Sequence, residues 1–123
     1  MKNMKRKMKT FVVCAALLVC SMGMTAFAAA SGSITGSLSG STGKVTLKNT
    51  SGFTTYCMVF LQEYSGNGSD LKTIKSTGGV ISSGNKISAS GTISKSRAKG
   101  VGQVYNSSAP ASGVAKTYYT QIK

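Results

Sequence analysis

The 123-residue sequence has no histidine and no tryptophan, and its only side-chain carboxylates are Glu63 and Asp70. Acid–base and metal-assisted catalysis draw mainly on His or on clustered carboxylates, so most hydrolase and metalloenzyme chemistries lack their parts. Structural zinc takes four Cys or His ligands, and only three cysteines are present. Asn67-x-Ser69-Asp70 lacks the alternating acidic ligands and the closing Glu of a calcium loop, and reads as a hairpin turn. Glu63 and Asp70 as a glycosidase pair would straddle that turn with no Trp platform beside them. Around Gly43-Lys44, Leu38 and Val45 stand where a phosphate loop needs Gly and Ser or Thr, and Gly100-x-Gly102 has no third glycine. The sequence therefore points to no catalytic residues, no metal and no cofactor.

What is abundant is positive charge. Fifteen Lys and Arg against two acids give a formal net charge of +13. Five of those cations fall in residues 1–9 (MKNMKRKMK), ahead of an apolar run over 11–22 and the small residues Ala26-Phe27-Ala28-Ala29-Ala30. A basic start, a short apolar run and an Ala-x-Ala mark make a secretory signal peptide over 1–28, cleaved near Ala28–Ala30. The run is short for a spanning helix, and no basic stop-transfer cluster follows it. Cys20 follows Val19, which does not fit a lipoprotein, and no sorting motif precedes Lys123, so the expected destination is free secretion. Removing the five leading cations takes the formal charge to +8. Cys14 and Cys20 leave as well, so no internal disulfide can form; Cys57 is then either a buried free thiol or the link of a disulfide dimer. Sparse cysteine in an exported chain suits a Gram-positive source.

The remaining residues read as one small domain of short strands. Lys44-Val45-Thr46-Leu47-Lys48 alternates strictly, and so does Lys86 to Ser94, with Ile87, Ala89, Gly91 and Ile93 on one face. Phe53 to Tyr64 (FTTYCMVFLQEY) is the strongest strand. Its middle is apolar on both faces, as in a central strand shared between a core and a contact surface. Further strands are expected at 71–75, 98–106 and 115–122, with a stub at Val80-Ile81 beyond a turn at Thr77-Gly78-Gly79. No segment shows helical apolar spacing with caps. The expected fold is an all-β, small antiparallel β-sandwich of about seven or eight strands over 44–123. Residues 29–43 form a flexible Ser/Gly-rich stretch or a first strand.

The Ser-x-x-Lys pairs at Ser41/Lys44, Ser69/Lys72, Ser83/Lys86 and Ser96/Lys99 fall on turns and strands. The helical geometry that makes this spacing catalytic is missing, so they read as chance matches. The cationic surface is the informative feature. Lys95, Arg97, Lys99, Lys116 and Tyr119 are the candidate binding residues: a basic run at a strand connection, and a Lys beside adjacent tyrosines on the last strand. The partners that suit them are anionic envelope polymers or lipid head groups. Export sets nucleic acid aside.

A small exported β domain rich in Ser, Gly and Tyr, closing on Ala115-Lys116-Thr117-Tyr118-Tyr119, resembles the lactococcin-972-type bacteriocins. That resemblance implies a β-sandwich and inhibition of wall synthesis through the lipid-linked precursor. The function expected from the residues is a secreted, non-enzymatic β domain that binds anionic envelope material. A bacteriocin-like antimicrobial and a structural or adhesive surface protein are the alternatives.

Overall fold

The computed structural model describes residues 29–123. The segment assigned to export lies outside the described residues. Seven strands follow in order: β1 Gly32–Ser39, β2 Thr42–Asn49, β3 Thr55–Tyr64, β4 Lys72–Ile81, β5 Lys86–Thr92, β6 Arg97–Tyr105 and β7 Val114–Gln121. A single 3-10 turn at Pro110–Ser112 lies between β6 and β7. The strands form two antiparallel sheets, one ordered β1-β2-β5 and the other β4-β3-β6-β7. The fold is a seven-stranded β-sandwich.

Alternation decides which side chains fill the space between the sheets. Val45 and Leu47 of β2 and Ala89 and Ile87 of β5 meet Cys57, Val59 and Leu61 of β3 and Val104 of β6 in one buried cluster. Small residues bring the layers close: a Cβ on Gly100 would overlap the side chain of Val45 in the opposite sheet. The stretch 29–43 carries β1 and the first two residues of β2, with Ile34 opposite Leu47 in register. Ala30, just ahead of β1, is already part of the core.

The structure corrects the expected break after Lys75. β4 runs unbroken from Lys72 through Gly78 and Gly79 to Ile81, paired along β3. The two glycines are not a turn. Tyr56 and Met58 of β3 lie across Gly78, where a Cβ would stand 2.6 Å from the Tyr56 hydroxyl. A side chain on β4 at that point would displace the ring.

One end of the sandwich is tied by a buried amide. Asn49 is fully buried; its Nδ2 donates to the carbonyls of Phe53 (3.0 Å) and Ile81 (2.9 Å), and its Oδ1 accepts from the Ser51 N–H (2.9 Å). The same residue exchanges backbone hydrogen bonds with Asn85 and Gly84. The opposite end is tied by a carboxylate. Glu63, 4% exposed, accepts from the backbone N–H of Ser94 (2.8 Å) and of Lys95 (3.1 Å), which fixes the connection between β5 and β6. These bonds, the Ser94 N–H foremost, hold the Glu63 pKa below its ordinary value.

Candidate functional site: two acid-free outer faces

The five sequence-selected residues do not form one patch. Lys95 sits in the β5–β6 connection, and its ammonium is already bonded to Asp70 Oδ2 at 3.1 Å. Asp70 also accepts from the Ser65 N–H at 2.8 Å; that bond first, and the Lys95 ammonium second, lower its pKa to about 2. Lys116 stands three residues before Tyr119 on β7, so the two side chains leave the strand on opposite sides. Lys95 and Lys116 therefore stand apart from the other three. Arg97 and Lys99 on β6 and Tyr119 on β7 remain together, on the solvent side of the four-stranded sheet.

Tyr64, the last residue of β3, completes this group. The Arg97 guanidinium carbon lies 5.8 Å from the centre of the Tyr64 ring. The Lys99 ammonium lies 5.9 Å from the Tyr64 ring and 5.7 Å from the Tyr119 ring, between the two. Gln121 steadies the group by donating from Nε2 to the Tyr64 hydroxyl (3.0 Å) and to the Ala98 carbonyl (2.9 Å). Two cations held at ring-contact distance suit an anion presented beside an apolar or sugar-like surface. Tyr119 is 66% exposed, while Tyr118 turns inward against the core and its hydroxyl accepts the Gly32 N–H at 2.9 Å.

Away from that corner the same face carries an apolar patch, bordered by Gln62, Ser76 and Gln103. Tyr56 and Tyr105 pack edge to face with ring centres 5.0 Å apart. Val80, 58% exposed, pairs with Tyr56, and Phe60 and Val101 face each other across β3 and β6.

The outer face of the three-stranded sheet is of a different kind. Its register sets Ser33, Lys48 and Lys86 in one row, Thr35, Thr46 and Ser88 in the next, and Ser37, Lys44 and Ser90 in a third. Every outward position of β1, β2 and β5 is Ser, Thr or Lys. Neither outer face carries an acid: Glu63 points into the core end, and Asp70 lies in the loop between β3 and β4.

Other chemistry has little to build on. Cys57 is fully buried in mid-β3, shares a 3.3 Å hydrogen bond with Thr55 Oγ1, and burial raises its pKa. In the folded chain it is a buried free thiol, the first of the two states expected for it. Among the described residues no three His, Cys, Asp or Glu side chains come together, and no helix is long and apolar enough to cross a membrane.

No known family profile matches this chain, and no curated protein matches it. Among solved structures, it is similar to a GH3 β-glucosidase from Bifidobacterium adolescentis at 11% identity and a TM-score of 0.34, over 76% of this chain and 17% of that one. A mutant β-glucosidase from Listeria innocua, solved in complex with laminaribiose, is similar at 12% identity and a TM-score of 0.33, over 76% and 16%. The chain thus spans about a sixth of the length of these enzymes.

Proposed function

We propose that this protein is a secreted, non-enzymatic β domain that binds anionic envelope material through Arg97, Lys99, Tyr64 and Tyr119. The observation that carries this reading is Lys99 held between two tyrosine rings, with Arg97 over one of them, on a face with no side-chain carboxylate. An anion arriving there meets no side-chain carboxylate, because Glu63 and Asp70 are engaged elsewhere by backbone N–H groups and by Lys95.

The test is binding of the purified secreted protein to washed Gram-positive cells or isolated walls, at low and high salt. The wild type binds at low salt and is released as salt rises. The double variant Arg97→Gln/Lys99→Gln loses about 2 kcal/mol, or roughly thirtyfold in affinity, at about 1 kcal/mol for each cation near an anionic surface. Absence of binding at low salt overturns the reading. Growth of the cells, scored in the same samples, identifies an antimicrobial.

An adhesive contact with a protein is the second reading. Its support is the apolar patch on the same face, around Tyr56, Phe60, Val80 and Tyr105. It calls for binding that survives high salt and is lost in Phe60→Ser.

A further inference from the structure

Among the described residues, the outer face of the three-stranded sheet carries three cations that the proposed site leaves unexplained. Lys48 and Lys86 are directly opposed across β2 and β5, and both are exposed. Neighbouring strands stand about 4.8 Å apart, so two ammonium groups share one small region. Like charges directly opposite each other in a sheet are destabilising. Proteins usually relieve such a pair with a nearby carboxylate, and this face has none. Lys44 adds a third cation on the same side of β2, about 13 Å along the strand from Lys48 at about 3.3 Å per residue. Between them Thr46 and Ser88 hydrogen-bond at 2.9 Å, giving a flat hydroxyl floor with no bulky side chain above it.

The geometry points to this face as a second polyanion-binding surface, so that one molecule holds two anionic strands, one on each side of the sandwich. The inference rests on the reading of the four-stranded face given above. The occupant it fits is a flexible linear phosphodiester polymer. Lysine ammoniums act on phosphates as point charges that need no planar partner, and Ser and Thr hydroxyls donate to the remaining phosphate oxygens. A flat face without aromatic side chains gives a sugar ring nothing to stack on, and without large apolar groups it gives a protein partner no anchor. Because the two sheets stack about 10 Å apart and their outer side chains point away from each other, the two strands are held separately. The molecule therefore cross-links the polymer.

The experiment titrates long-chain inorganic polyphosphate into the secreted protein at low salt and follows light scattering together with binding. The wild type is expected to bind and to scatter strongly near charge equivalence, and to clear when polymer is in excess. The Lys44→Gln/Lys48→Gln/Lys86→Gln variant still binds but no longer cross-links. Its binding shows a salt slope shallower by about 2, three phosphate contacts at about 0.7 each on a single-stranded polyanion. A control of equal charge, Lys72→Gln/Lys75→Gln/Lys116→Gln, removes cations from neither outer face and keeps the scattering. Thermal melts of both triple variants establish that they are folded.

Wild-type binding without scattering overturns the second surface. So does scattering by the Lys44/Lys48/Lys86 variant equal to the wild type, or its loss in the control. A carboxylate polymer such as polyglutamate cross-linking as well as polyphosphate overturns the phosphate assignment. Absence of binding by the wild type counts against the four-stranded face, and so against the function proposed above.

Discussion

Asn49 carries more of this fold than any of the cations. Its side chain uses both N–H bonds and its oxygen, and it has no exposure to water that could replace a lost partner. Asn49→Ala removes the partner of the half-buried Phe53 and Ile81 carbonyls and of the buried Ser51 N–H. We expect a cost of roughly 2–3 kcal/mol, since each orphaned buried group costs on the order of 1–3 kcal/mol and partial relaxation recovers some of it. Chemical denaturation of the variant reads this directly, as a lower midpoint with an unchanged slope. Asn49-Thr50-Ser51-Gly52 had the composition of a turn, and the chain does turn there. What composition hides is that the asparagine side chain reaches to residue 81, a contact that exists only once two sheets are stacked. Cys57 gives a second residue-level outcome. A thiol in the middle of β3 reacts only when that strand opens, so native labelling by iodoacetamide should be far slower than in denaturant and should accelerate with destabilisation.

Single strands show where pattern is a sufficient guide and where it is not. The alternation at 44–48, and Phe53–Tyr64 with its apolar middle, correspond to β2 and β3, because each buries one face against the core and repeats with period two. β4 shows the opposite case. Thr77-Gly78-Gly79 has turn composition, yet these residues are extended and paired with Val59, Met58 and Cys57 of β3, and at Gly78 the Tyr56 hydroxyl and Met58 fill the space a side chain would occupy. The connection between β5 and β6 depends on Glu63 in a third strand. Glu63 and Asp70 both titrate below their ordinary values when folded, so each favours the folded state at neutral pH. That contribution is present above the unfolded-state values, near pH 4, and is lost as the pH falls toward about 2. Melting temperature should accordingly drop on acidification below about pH 4.5. Glu63→Gln should lower it at neutral pH and flatten part of the acid dependence, because the amide keeps the shape but not the charge.

The whole molecule has a surface whose sign was legible from the residue counts, while its partition into two faces was not. Which lysines share a face depends on the order β1-β2-β5 and β4-β3-β6-β7, and strand order depends on which hairpins stack. Lys95 shows the limit most clearly: beside Arg97 and Lys99 in sequence it looked like one cluster, yet it pairs with an acid in the distant β3–β4 loop. Tyr64 does not stand out among the five tyrosines in the sequence, although it closes a strand expected to be shared between a core and a contact surface, and its outward parity, one residue beyond inward Glu63, was available. The Lys116–Tyr119 spacing was equally readable, since three steps along a strand change sides.

The scarcity of titratable groups has a further consequence for the molecule in its surroundings. A drop from neutral to mildly acidic conditions normally charges histidines. This chain has none, and its two carboxylates stay ionised there because their folded values lie low. Its field is constant across that interval. Under the function proposed above, attraction to an anionic polymer is then governed by ionic strength and not by acidity, so a bound polymer is retained on mild acidification and released by salt.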